Sequence, residues 1–232
     1  MKQGFRKVFD QCAGIASLVL VAWFSIGPAG RVAAKSHKGD DRPIIRVGIY
    51  NYAEVAPQEL RDAEHHVQAL LREAGVKITW LDYTPKQRFL RGRSLIADAD
   101  FFVRILFSSP MKGPMQTAGK DAMGQAFFPP GNDGPTAGRF ANVFYDRVQA
   151  SVPPPGPCSK QVLGDVIAHE LGHLLLGPRH SRHGIMKAVW ALKEMELITC
   201  CRLRFSAGQT TEIQQAARSL EGDSSPVVAA RR

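Results

Sequence analysis

The stretch from Val162 to Leu176 constrains the fold of this chain most. It is almost wholly apolar, yet its last turns carry His169, Glu170 and His173. Its length and apolar content predict a helix buried in a core, with Ser159 placed to cap its start. Burying three polar side chains without partners is costly, so the fold must supply something that satisfies them. Histidines that merely pack or cap would leave the glutamate unexplained. The spacing His-Glu-x-x-His offers a better answer. Residues four apart share one helix face, with roughly 5–6 Å between their Cβ atoms. Two imidazoles so placed reach one tetrahedral Zn²⁺ at about 2.0–2.1 Å. Glu170 lies about 100° round the helix from His169. There it can touch a water on the metal without binding the metal itself.

The chain continues Leu174-Leu175-Leu176-Gly177-Pro178-Arg179-His180-Ser181-Arg182-His183-Gly184-Ile185-Met186. Gly177 and Pro178 signal an abrupt helix stop. His180 follows as the candidate third ligand, and His183 is its rival. The whole run resembles the metzincin clan of zinc endopeptidases, and within it the matrixin-like branch, whose pattern is HExxHxxGxxH followed by a methionine turn. The resemblance implies that His169, His173 and His180 are zinc ligands and that Glu170 is the general base. It makes Gly177 the turn glycine and Gly184-Ile185-Met186 the methionine turn. It also implies a zincin-like α+β fold: a small, mixed, twisted sheet with an active-site helix and a C-terminal helix. Two spacings depart from the family. Three residues separate His173 from Gly177 where the family has two, and the gap from His180 to Met186 is short. One extra helical residue moves the turn by about 1.5 Å and 100°. A zincin with a glutamate as third ligand would use Glu194 or Glu196, but no second motif supports it.

The rest of the chain is organised as such a fold requires. Residues 44–50 read as a strand. Pro57 to Ala74 carries Leu60, Ala63, Val67, Leu70 and Leu71 at helical spacing, with Gly75 as the stop. Val76 to Tyr83 alternates as a second strand, which makes a βαβ unit with parallel pairing. Ala99 to Phe107 is a third strand. Residues 108–142 are rich in glycine and proline, with Gln125 to Phe128 as an edge strand. Ala141 to Val148 reads as a stronger strand. The clan resemblance implies that an edge strand lines the cleft and pairs with an extended substrate. Ser206-x-x-Gln209 opens a last helix that runs to about Leu220. His65 and His66, with no spaced partner, read as surface or core histidines.

At the N-terminus, Lys2, Arg6 and Lys7 precede an apolar stretch from Cys12 to Ile26 and a small-residue site at Val32-Ala33-Ala34. This reads as a signal peptide over residues 1–34, because the apolar run is shorter than the roughly 20 residues a membrane span needs. The expected organisation is then a flexible segment 35–43, a catalytic domain 44–220 and a mobile tail 221–232. The expected location is secreted or periplasmic, with no stable membrane span after cleavage and a monomeric state. Removing residues 1–34 takes away four basic groups and one acidic group, lowering the net charge from +9 to +6. The basic residues are scattered without aromatic interleaving, which argues against nucleic-acid binding. Cys158, Cys200 and Cys201 remain in an oxidising compartment, so one bridge from Cys158 to either of the pair is possible. The expected partner is a peptide or protein substrate. Two other readings stand beside the endopeptidase: a secreted zinc-containing binding protein without catalysis, and a zinc amidase acting on cell-wall peptides. A closed four-ligand site would favour the first of these.

Overall fold

The structure, a computed structural model, describes residues 40–83, 98–108, 121–152 and 159–223. The expected signal segment, the prolines at 153–157, Cys158 and residues 224–232 lie outside the described residues. Among the described residues five strands form one sheet: β1 (Ile44–Asn51), β2 (Lys77–Asp82), β3 (Phe101–Leu106), β4 (Gly124–Phe127) and β5 (Phe140–Phe144). Their order is β2-β1-β3-β5-β4. The first four in that order run parallel, and β4 pairs antiparallel with β5 at one edge of the described sheet. Among the described residues five helices accompany them: α1 (Pro57–Glu73), α2 (Tyr145–Ala150), α3 (Ser159–Leu176), α4 (Leu192–Thr199) and α5 (Ala207–Asp223). The α+β class read from the sequence is the one observed.

The βαβ unit forms as its pattern requires. Pro57 stands at the start of α1, where its missing N–H is not needed. At the other end Gly75 takes φ +80°. Its N–H donates to the Arg72 carbonyl at 3.0 Å, and the Val76 N–H donates to Leu71 at 2.9 Å. This pair of bonds is a Schellman stop, and it turns the chain directly into β2.

Alternation along the strands divides the sheet into two faces. Ile45, Val47, Ile49, Phe101, Val103, Ile105, Ala141 and Val143 belong to the main core. Helices α1, α3 and α5 pack on that core. On α3, Leu163, Ile167, Leu171, Leu174 and Leu175 are fully buried. Each contributes about 1.5–3 kcal/mol by leaving water. The other sheet face carries an aromatic row: Tyr50 against Tyr83 at 5.1 Å, then Phe102 against Phe140 at 5.1 Å between ring centres.

Two expected boundaries are corrected. The strand expected over Ala141–Val148 ends at Phe144, and α2 begins at Tyr145. The apolar period changes there from two to three, since Tyr145 and Val148 are the buried residues of α2. Asp146 fixes the turn by accepting from the Ser108 N–H at 2.8 Å. At the C-terminus, α5 continues to Asp223, past the expected end at Leu220. Glu221 belongs to the folded domain, because it accepts from the Ile44 N–H at 2.8 Å. The cap of α5 is as read from the sequence: Ser206 N–H donates to Gln209 Oε1 at 2.9 Å, and Gln209 N–H to Ser206 Oγ at 3.4 Å.

Cys200 and Cys201 are exposed thiols. The bridge expected from Cys158 to one of them involves a residue outside the described set. No helix among the described residues is long and apolar enough to cross a membrane.

Candidate metal centre

Helix α3 carries His169, Glu170 and His173 into the centre of the fold, and its end decides where the third histidine arrives. The helix runs on through Leu176. Gly177 then takes φ +90°, and its N–H donates to the His173 carbonyl at 2.8 Å. A side chain there would be strained, and its Cβ would lie 3.0 Å from the Asp133 carbonyl oxygen. The Thr136 N–H covers a second carbonyl of the last turn, Leu174, at 2.9 Å. From this stop the chain doubles back and brings His180 to the other two histidines.

Nε2 of His173 lies 3.0 Å from Nε2 of His169 and 3.2 Å from Nε2 of His180. Two carbonyls set the tautomers. His169 Nδ1 faces the Ile185 carbonyl at 2.7 Å, and His173 Nδ1 faces the Gly177 carbonyl at 3.1 Å. A carbonyl only accepts, so both Nδ1 atoms carry the proton. Both Nε2 atoms are therefore bare lone pairs pointing at each other. Such a cluster repels itself unless a cation stands in it. Burial adds to the requirement. It pushes the His169 pKa down to about 3, with help from His173, and it lowers His173 and His180 as well. Protons are therefore poor candidates for that cation. A tetrahedral zinc with ligands at about 2.0–2.1 Å needs nitrogens roughly 3.3 Å apart, so the residues present fit that ion. Among the described residues, these three histidines are the only group of metal-ligating side chains close enough to hold one. His183 stands outside it, exposed, and its carbonyl accepts from Ser181 Oγ at 2.6 Å. Glu194 is likewise occupied elsewhere, by Lys187 at 2.7 Å and the Ala191 N–H at 3.0 Å. Glu196 is exposed.

Glu170 is buried beside the histidines. Burial raises its pKa to about 8, against a hydrogen bond from the Ala126 backbone that lowers it. Its Oε2 is buried and has no hydrogen-bond partner among the described residues. Gly124 of β4 lies against the same carboxylate, since a Cβ there would come within 2.3 Å of Glu170 Oε1. Glu170 and the three histidines line one cavity of about 800 Å³, walled also by Met123, Val166 and Trp190.

The segment after His180 packs against α3. Ser181 N–H donates to the Met186 carbonyl at 2.7 Å, and Ile185 N–H to the Arg204 carbonyl at 3.0 Å. Met186 is fully buried, and its Sδ occupies the space that a side chain at Gly172 would fill, 2.3 Å from the Cβ position.

Several contributors were not visible in the sequence. Trp190 Nε1–H donates to the Ile185 carbonyl at 3.2 Å, the same oxygen that orients His169, and its ring meets His169 edge-on at 5.9 Å. His66, read as a histidine without a partner, lies 3.1 Å from the buried Asp165 on α3. Gly124 is the first residue of β4, one position ahead of the edge strand expected over Gln125 to Phe128, so the sequence did not mark it as a glycine of close approach.

No family model matches the chain, and no curated protein matches it. Solved structures do. The chain is similar to archaemetzincin from Methanopyrus kandleri over 78% of its own length and 98% of that chain, with 17% identity and a TM-score of 0.46. It is similar to metalloproteinase-II from Bacteroides fragilis over 76% of its length and 54% of that chain, with 14% identity and a TM-score of 0.43. A third similarity, to myroilysin, covers 72% of this chain and 70% of that one, with 11% identity and a TM-score of 0.31.

Proposed function

We propose that this chain is a secreted or periplasmic zinc-dependent endopeptidase of the metzincin type, with His169, His173 and His180 holding the metal and Glu170 as general base. One observation carries the reading. Three imidazole nitrogens converge beside a buried carboxylate that lines the same cavity, next to β4, the outermost strand of the described sheet. A structural metal site has no need of that carboxylate, so its presence supports hydrolysis over mere metal storage. The metal, when bound, supplies Lewis-acid polarisation of a carbonyl and a water acidic enough to lose its proton near neutral pH. The chain supplies the rest. The carbonyls of Ile185 and Gly177 orient His169 and His173 through their Nδ1–H groups. The Glu170 carboxylate accepts the proton of the attacking water and passes it to the leaving amine. The edge strand β4 offers backbone groups to an extended peptide, and Met123, Val166 and Trp190 offer an apolar wall to one of its side chains.

The test is hydrolysis of extended peptides by the chain lacking residues 1–34. Cleavage stops with a chelator, returns with zinc, and is absent in Glu170→Gln protein that still binds zinc. Cleavage indifferent to chelation overturns the proposal. Cleavage confined to cell-wall peptides would move the substrate class and keep the chemistry.

A further inference from the structure

The register of β4 on β5 shows which of its peptide groups face the cleft. Gly124 stands opposite Val143, and Ala126 opposite Ala141. Phe144 N–H donates to the Met123 carbonyl at 2.8 Å, so the pair 123–144 is hydrogen-bonded. In an antiparallel ladder such pairs alternate. The bonded pairs are therefore 123–144, 125–142 and 127–140. Gly124 and Ala126 turn their N–H and C=O groups away from β5, toward the outer edge of the described sheet. These are the groups that an extended peptide would use to add a strand.

One of them already has a partner inside the chain. The Ala126 backbone hydrogen-bonds the Glu170 carboxylate, whose other oxygen is buried without a partner. The carboxylate reaches this position because residue 124 has no side chain. A Cβ would stand 2.3 Å from Oε1 and 2.7 Å from both Cδ and Cγ, distances no real contact tolerates. One N–H serves one good acceptor, so a paired peptide carbonyl and the Glu170 carboxylate exclude each other at Ala126.

Building on the peptidase reading, we infer that Gly124 and Ala126 are positioning residues that seat the Glu170 carboxylate on the substrate-binding edge, and that an added peptide strand displaces it into the cavity. Substrate pairing and release of the base are then one event. Peptide binding must break the seat before it gains its own bond, which weakens apparent affinity.

The experiment has two arms on zinc-loaded protein lacking residues 1–34. The first is amide hydrogen exchange at residue 126 without peptide. A charge-assisted bond protects this N–H, so exchange is expected to quicken about tenfold or more in Glu170→Ala and in Gly124→Ala. The second arm is steady-state hydrolysis of an extended peptide. Gly124→Ala bars the seat, so KM is expected to fall by about tenfold, a larger change than any in kcat. Gly124→Ala is compatible with the strand, because the backbone there is not left-handed. Zinc content and a thermal melt verify that it is folded, and Glu170→Ala decides the first arm if it is not. Equal exchange at Ala126 in all three proteins overturns the seat. Quickened exchange with a raised KM, or with a loss confined to kcat, overturns displacement by peptide. If the unsubstituted chain hydrolyses no peptide, the peptidase reading fails while the exchange result still decides the seat.

Discussion

Replacing Glu170 by Gln changes how the metal-free protein responds to pH, and the size of the change follows from burial. The folded chain holds the Glu170 carboxyl at about 8, against an ordinary value of 4.5. Below pH 4.5 the group is protonated in both folded and unfolded chains and stability is at its full value. Between 4.5 and 8 the unfolded chain has lost the proton while the folded chain keeps it. Stability therefore falls as pH rises through this window, and above 8 no further change occurs. At 1.36 kcal/mol per unit, the window removes up to about 5 kcal/mol. Glutamine keeps an oxygen for the Ala126 N–H and has no proton to lose. Urea unfolding of both proteins after chelation, at half-unit steps from pH 5 to 8.5, isolates the effect. All other titrating groups cancel in the difference. The difference is expected to grow steadily in favour of Glu170→Gln. Saturating zinc is expected to flatten it, because a cation beside the carboxylate favours its ionised form. A flat difference in the metal-free proteins refutes the buried, proton-holding state of Glu170.

Other consequences test the remaining parts of the site. His180→Ala is expected to weaken zinc binding on the order of a hundredfold or more, while His183→Ala leaves it within about twofold, measured by competition with a chromophoric chelator. Gly177→Ala forces a left-handed backbone on a Cβ and is expected to cost about 1–2 kcal/mol in urea unfolding, with weaker zinc binding because His180 is displaced. Met186→Ala empties the space beside Gly172 and is expected to cost about 2–5 kcal/mol in the same assay. Normal stability in that variant would remove Met186 from the supports of α3.

What the sequence disclosed and what it withheld divide along one physical line. Features set by spacing along a single element were legible. His169 and His173 share a face because helices repeat every 3.6 residues, and the parallel β1–β2 pair follows from the length of the crossover through α1. The capping box at Ser206 and the stop at Gly75 rest on chemistry within a few residues. Tyr145 was misread because one residue can end an alternating pattern and begin a helical one, and only the later Val148 shows which. Features set by distant approach left no local trace. His66 meets Asp165 across 99 positions, and Glu170 takes its environment from a strand far upstream of α3.

The extra leucine between His173 and Gly177 sits at the boundary between these two classes. Its rotation of about 100° would spoil the site if the helix kept its length and the loop stayed as in the family pattern. In this chain the helix continues through Leu176. Leu174 and Leu175 stay fully buried, so the added residue continues the core face without burying a polar group. Gly177 moves with the helix end, and its left-handed turn still presents a carbonyl to His173 Nδ1. The segment around Thr136 meets the extended helix and covers the Leu174 carbonyl. The constraint that matters is therefore the Gly-x-x-His spacing, because the glycine sets the direction in which the chain returns. A shift of one residue upstream of that glycine is absorbed by the helix and the loop that caps it. A shift of one residue downstream of that glycine would carry His180 away from the two imidazoles it must face.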